Sequence, residues 1–235
     1  MFILTLCLIH EMPSMHAPVP PIDTRACDIL DRVKAIFAQK GFDGASMKDL
    51  AQAAGMSAGN FYRYFPSKDA LIAGLVERDV EEVRCEFARI LTSQTPRQTF
   101  HDIVRQRVEQ PDPTRGPIWA EIEATALRRP EIADILSRKQ AEIQGYITAA
   151  FAVIAQLPIP EADRRFGDHA KLIMLLVQGL TTRMARPVLD ESPQPDHGLA
   201  VLVIDMINRI LSELETSTPS PRSIINASSV SDNVF

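Results

Sequence analysis

An all-α fold of about nine helices is what this chain predicts, and three observations carry that expectation. Apolar residues recur at the three-and-four spacing of a helix along most of the 235 residues. Capping residues, glycines and prolines punctuate those stretches where helices start and stop. Only ten glycines occur, and no segment alternates convincingly as a strand does. With 46% hydrophobic and 23% charged residues, the composition is that of an ordinary globular protein with a sizeable core. No run of about 18 apolar residues predicts a membrane span.

The first helix is expected over Thr24 to Lys40. There Ala26, Ile29, Leu30, Val33, Ile36 and Phe37 share one face, and Gly41 supplies a stop. Ser46 caps a short second helix, Met47 to Ala54, with Asp49 in the place of a capping-box partner. Gly55 provides a left-handed turn residue. Ser57 caps the third helix, which ends near Tyr64–Phe65, and Pro66-Ser67 breaks the chain before a longer helix from Lys68 to Leu91. Thr95-Pro96-Arg97-Gln98 reads as a start, with Thr95 as cap, and that helix ends before Pro111. Three more are expected over Thr114 to Leu127, Pro130 to about Leu157 and Glu161 to about Met184, and a last one over Asp196 to Glu215.

These elements divide the chain into residues 22–70, three short helices, and residues 71–215, a larger helical domain. Residues 1–21 are read as a disordered leader or a misassigned start, with Met12 and Met15 as alternative starts. The apolar run Phe2 to Ile9 has no Lys or Arg before it and no clear cleavage site after it. Residues 216–235, rich in Ser, Thr, Asn and Pro, are read as a disordered tail.

Charge is distributed unevenly. Seven basic residues face five acidic ones between Thr24 and Ala70, a balance of +2, which leaves −7 for the rest of a chain whose total is −5. A mildly basic module on an acidic body suits a protein that touches nucleic acid with one end. Cys7, Cys27 and Cys85 form no C-x-x-C pair, and the five histidines show no metal-ligand spacing. No metal, no cofactor and no disulfide framework is expected, and a reducing cytoplasm is the expected location. No G-x-S-x-G, H-E-x-x-H or phosphate loop occurs, so the chain does not read as an enzyme.

The second and third helices, each about two turns long and joined by Gly55-Met56, have helix-turn-helix spacing. Phe61 and Phe65 are four apart and are expected to pack inward on Leu50, Ala51 and Ile36. Ala58, Gly59, Asn60, Tyr62, Arg63 and Tyr64 are left outward, although Tyr64 also fits a packing role. Small residues admit close approach to a duplex, Asn pairs with adenine and Arg with guanine, and tyrosine hydroxyls bond phosphates. Lys68 follows at a helix N-terminus, where amides and dipole favour a phosphate.

Ile29 to Leu75, with Lys40-Gly41-Phe42, Ser46-Met47-Lys48-Asp49-Leu50-Ala51, Gly55-Met56-Ser57 and Tyr62-Arg63-Tyr64-Phe65-Pro66-Ser67-Lys68, resembles the DNA-binding domain of the tetracycline-repressor (TetR) family. The resemblance implies that Ser46 and Lys48 touch the DNA backbone, that Ser57 opens the reading helix, and that Ala58, Gly59, Asn60 and Tyr64 face bases beside Arg63. Tyr62 and Lys68 would grip phosphates. Many members carry Lys at the position of Ala58 and Thr at that of Asn60, so a different operator is expected.

The helices that contain Leu172–Leu180 and Leu199–Leu211 are apolar nearly all round, so they need partners on more than one side. A homodimer built on them is expected, as in the family, with Leu172, Leu176, Leu180, Val203, Ile207 and Ile210 at the seam. Such a dimer reads a palindromic double-stranded operator. The family places a small-molecule effector among the middle helices. Phe100, Trp119, Glu123, Phe151, Met174 and Gln178 are candidates, each of which also fits plain core packing. The reading is a homodimeric transcription regulator, by family habit a repressor released by its effector. The alternative is a DNA-binding dimer without a ligand, controlled by a protein partner or by abundance.

Overall fold

Gly41 is where the first helix breaks. The computed structural model describes residues 24–110, 115–184 and 197–216, and α1 (Thr24–Gly44) among them carries φ 69° and ψ 172° at Gly41, so the expected stop appears as a kink before one more turn. There follow α2 (Met47–Ala53), α3 (Ala58–Tyr64), α4 (Lys68–Leu91), α5 (Pro96–Glu109), α6 (Arg115–Ala126), α7 (Pro130–Ala155), α8 (Ile159–Met184) and α9 (His197–Thr216). The nine helices among the described residues are those expected, most within a few residues of the expected bounds. The expected leader, and the expected tail past Thr216, lie outside the described residues.

Local chemistry explains most of the boundaries. At α2 the capping box is complete: the Asp49 amide donates to Ser46 Oγ at 3.1 Å and the Ser46 amide donates to Asp49 Oδ2 at 2.9 Å. Ser57 Oγ accepts from the Asn60 amide at 3.4 Å, and Ser67 Oγ from the Ala70 amide at 3.1 Å, so α3 and α4 are capped the same way. Gly55 takes φ 67° between α2 and α3. Thr95 departs from expectation. Its side chain makes no capping bond; Ser93 Oγ instead accepts the Thr95 amide at 3.0 Å, and Pro96 opens α5.

Two cores result, and α4 belongs to both. The first joins Leu30, Val33, Phe37 and Phe42 of α1, Leu50 of α2, and Phe61 of α3 with Phe65 just beyond it. It takes in Leu71, Ile72, Leu75 and Val76 from the start of α4, Ile118 and Ile122 from α6, and Ile132 and Leu136 from α7. The second takes Val80, Val83, Phe87 and Ile90 from the rest of α4, together with α5, the later part of α7, α8 and α9. Its centre is an aromatic stack in which Phe100 meets Phe87 edge-on and Phe151 tilted, each at 5.7 Å. The expected division near residue 70 thus falls at the start of a helix that both cores share.

Candidate nucleic-acid interface and effector cavity

Lys48, Ser57, Ala58, Gly59, Tyr62 and Arg63 are exposed together on α2, α3 and the turn between them. Phe61, fully buried four residues before Phe65, fixes which way α3 turns them outward. A Cβ added at Gly59 meets nothing within 4 Å, so nothing in the fold requires glycine there. Asn60 is half-buried, and Tyr62 is 48% exposed. Tyr64 is also half-buried and packs on the first core. Ser46 is exposed, but its hydroxyl is engaged, donating to Asp49 Oδ2 at 2.6 Å. That hydroxyl, the Ser46 amide and Lys40 hold the Asp49 carboxyl down to about 2. Lys68 spends two donors inside the molecule, on the carbonyls of Phe42 at 2.6 Å and Asp43 at 3.1 Å. It clasps the end of α1 to the start of α4, which leaves one N–H for a phosphate.

Polar contacts tie the three-helix head to both α4 and α6. Arg78 of α4 donates to the Cys27 carbonyl at 3.0 Å and pairs with Asp31 at 2.7 Å, both on α1. On the other side, the Phe42 amide donates to Glu121 Oε2 of α6 at 3.4 Å. The Glu121 carboxylate lies 3.3 Å from where a Cβ on Gly41 would sit, so a side chain there is opposed by both the positive φ and the carboxylate. Both α4 and α6 therefore connect the head to the rest of the chain.

Behind this head, among α4, α5, α6, α7 and α8, lies a cavity of about 290 Å³. Five of the six candidate effector residues, Phe100, Trp119, Glu123, Met174 and Gln178, line it. Phe151 is the correction: fully buried behind Phe100, it belongs to the aromatic stack and does not reach the cavity. Gln178 Nε2 donates to Glu123 Oε1 at 2.7 Å and joins α8 to α6 across the wall.

Sequence reasoning missed the charged end of this cavity. Lys139 of α7 and Asp79 of α4 form a buried ion pair, and Arg115 at the start of α6 pairs with the same carboxylate. Lys139 Nζ also stands 3.0 Å from the centroid of the Trp119 ring. Burial, with the Arg115 and Arg107 guanidiniums, pulls the Lys139 ammonium well below the usual lysine range, against the weaker opposing effect of Glu123 and Glu82. Burial also lowers Arg115. A signal existed: Asp79 interrupts the apolar stripe Ile72, Leu75, Val76, Val80, Val83, and Lys139 interrupts Ile132, Leu136, Tyr146, Ile147.

The expected dimer seam needs a larger correction. Leu180, Val203, Ile207 and Ile210 are buried in the chain's own second core. On α8 and α9 the exposed apolar residues are Leu172, Leu175, Leu199, Val201, Leu202 and Met206, with Leu176 half-buried beside them. When a helix is apolar all round, its periodicity does not say which face meets its own core.

Residues 29–75 match the family model for bacterial regulatory proteins of the tetR family. The transcriptional regulator UidR of Escherichia coli K12 is 29% identical over 197 residues, which cover 82% of this chain and 96% of that protein. Residues 29–75 are similar to the DNA-binding domain of the tetR family, and the chain as a whole is similar to regulators of that kind. The transcriptional repressor Rv1474c of Mycobacterium tuberculosis is 38% identical over 65 residues, 28% of this chain and 35% of that one. GusR of Salmonella enterica superposes with a TM-score of 0.59 at 22% identity, over 87% of this chain and all of that chain. The tetR-family match coincides with α1 to the start of α4, where capping, turn glycine and buried aromatic pair all occur as foreseen. The matched family model and the relatives mark the chain as a DNA-binding transcription regulator, not an enzyme. Among the described residues, no single helix is long and apolar enough to cross a membrane.

Proposed function

We propose that the chain is a cytoplasmic, homodimeric repressor that reads a palindromic operator with α3 and releases it when a small molecule fills the cavity. The observation that carries this reading is the pairing of an exposed α3 with a cavity whose walls include α4 and α6, two of the helices that pack against the head. Residues 22–70, with the first turns of α4, act as the DNA-binding head; the remainder to residue 215 binds effector and dimerises. Lys48, Tyr62, Arg63 and the spare donor of Lys68 meet phosphate or base, while Ala58, Gly59 and Asn60 approach base edges. Ser46 and Ser57 serve first as helix caps, and Tyr64 shares its contact with packing. A ligand acts through its different affinity for two settings of the heads, relayed by α4 and α6. A cavity of this volume favours a ligand over the ligand-free alternative.

Selection of bound sequences from a random DNA pool tests the reading. Two half-sites about one helical turn apart, ~34–36 Å, are expected; no enrichment, with or without candidate ligands, would sink it. Within that experiment, Tyr62→Ala weakens binding to all sequences but leaves the salt slope unchanged, because the phenol neutralises no phosphate. Asn60→Ala relaxes preference at particular base pairs instead. Equal losses on every sequence from both substitutions would refute the separation of roles.

Gly59→Ala separates fold from function more sharply. The added methyl meets nothing in the protein, and Ala favours helix over Gly, so stability holds or rises by up to about 1 kcal/mol. Specific DNA affinity falls by about tenfold or more, because the methyl overpacks the approach to the bases. Unchanged affinity would remove Gly59 from the interface.

A further inference from the structure

We propose that the cavity takes a small organic anion with an apolar body, whose charged group competes with Asp79 for Lys139 and Arg115. The inference deepens the reading of this cavity as the effector site and rests on it.

The charges on the cavity wall carry the argument. Lys139 and Asp79 are each less than a tenth exposed, and Arg115 reaches the same carboxylate from α6. Two cations therefore share one buried anion. Arg115 has a second, looser partner in Glu82 at 3.4 Å, a largely exposed residue whose charge water screens. Of the other charged groups on the wall, Arg107 is matched by Glu86 at 2.7 Å, and Glu123 is held by the Gln178 amide. An incoming anion finds two desolvated donors already oriented.

The other ligand classes fit less well. A cationic ligand needs an aromatic face or a spare carboxylate, but the Trp119 face is already covered by the chain's own ammonium. A ligand that is apolar throughout would strip the remaining water from Lys139 and Arg115 without replacing its hydrogen bonds. The rest of the wall suits an apolar body: Val83, Phe100, Ile103, Ile147, Ile173 and Val177 line it. The depressed Lys139 ammonium agrees, since a second anion beside it would raise it back toward the ordinary lysine range.

Asp79 is also where binding would be felt. It sits on α4, one turn after Leu75 and Val76, which belong to the head's core, and it holds α4 to α6 and α7 through its two cations. An anion that takes over those cations loosens α4, the helix on which both cores hang.

Trp119 is the chain's single tryptophan, so its fluorescence reports the cavity directly. The full chain is titrated with octanoate and phenylacetate, with their neutral amides, and with octylammonium, following Trp119 emission, melting temperature and affinity for the selected operator. The acids are expected to shift emission saturably, to bind about tenfold or more tighter than the amides, and to weaken operator binding. Lys139→Gln should cut acid affinity by about tenfold while leaving the amides unchanged, and Lys139→Arg should keep the preference for acids. Asp79→Asn should move acid affinity the opposite way, upward, because the competitor has lost its charge. Amides or octylammonium that bind as well as the acids overturn the anion assignment and leave an effector site of another class. Silence from all the probes overturns the assignment and removes the support for an effector site. Acid binding with operator affinity unchanged overturns the competition with Asp79 as the controlling step.

Discussion

Asp79→Ala lowers the stability of the protein by about 3–5 kcal/mol, the cost of leaving buried charge without its partner. The size follows from what Asp79 holds. Lys139 and Arg115 both pair with it, and Lys139 is only 8% exposed, so water does not replace the lost carboxylate. The three residues also lie on three helices, α4, α7 and α6, so the loss spreads through the junction of the two cores. Chemical denaturation measures it, and a second variant identifies the cause. Asp79→Leu combined with Lys139→Met removes both charges and supplies apolar volume, so the double variant is more stable than Asp79→Ala alone. A loss under about 1 kcal/mol, or strict additivity of the substitutions, would mean that the ion pair is solvated and does not bind the helices together.

This pair also marks where the sequence stopped being legible. The helix ends were readable because the chemistry that makes them is local: Ser46 and Asp49 are three residues apart, and Gly41 and Gly55 take positive φ in their own turns. The head was readable for the same reason, since α1 to the start of α4 packs neighbours in sequence around Phe61 and Phe65. Asp79 and Lys139 are 60 residues apart. Each shows as a charge on an apolar stripe, but nothing local says that the two stripes face one another. Lys68 shows a different limit. Its position at a helix start suggested a phosphate ligand, and only the fold reveals that the carbonyls of Phe42 and Asp43 come to meet it across 26 and 25 residues. Phe151 and Phe100 look alike in sequence, and the order of α5 and α7 around the cavity decides which of them a ligand would touch.

The apolar ends of the chain lead to the other large effect. Leu175 is 68% exposed and Leu202 61%, on two helices whose buried apolar residues fill the second core. Left to water, these side chains forfeit about 1.5–3 kcal/mol each. A two-fold axis beside α8 and α9 would bury each of them twice per dimer, and the seam we propose would run along the exposed Leu172, Leu175, Leu199, Leu202 and Met206. Leu175→Glu together with Leu202→Glu is therefore expected to raise the dimer dissociation constant by about a thousandfold or more, while the isolated chain keeps its melting temperature. The fold survives because both positions are exposed in the single chain and Glu is a good helix former. Operator binding then falls with the dimer. A lone head makes half of the phosphate contacts, so the dependence of affinity on salt roughly halves as well. Sedimentation gives the oligomeric state, and titrations of the selected operator at several salt concentrations give the slope. If the double variant still sediments as a dimer, the seam lies elsewhere, and the exposed leucines of α8 and α9 face another partner.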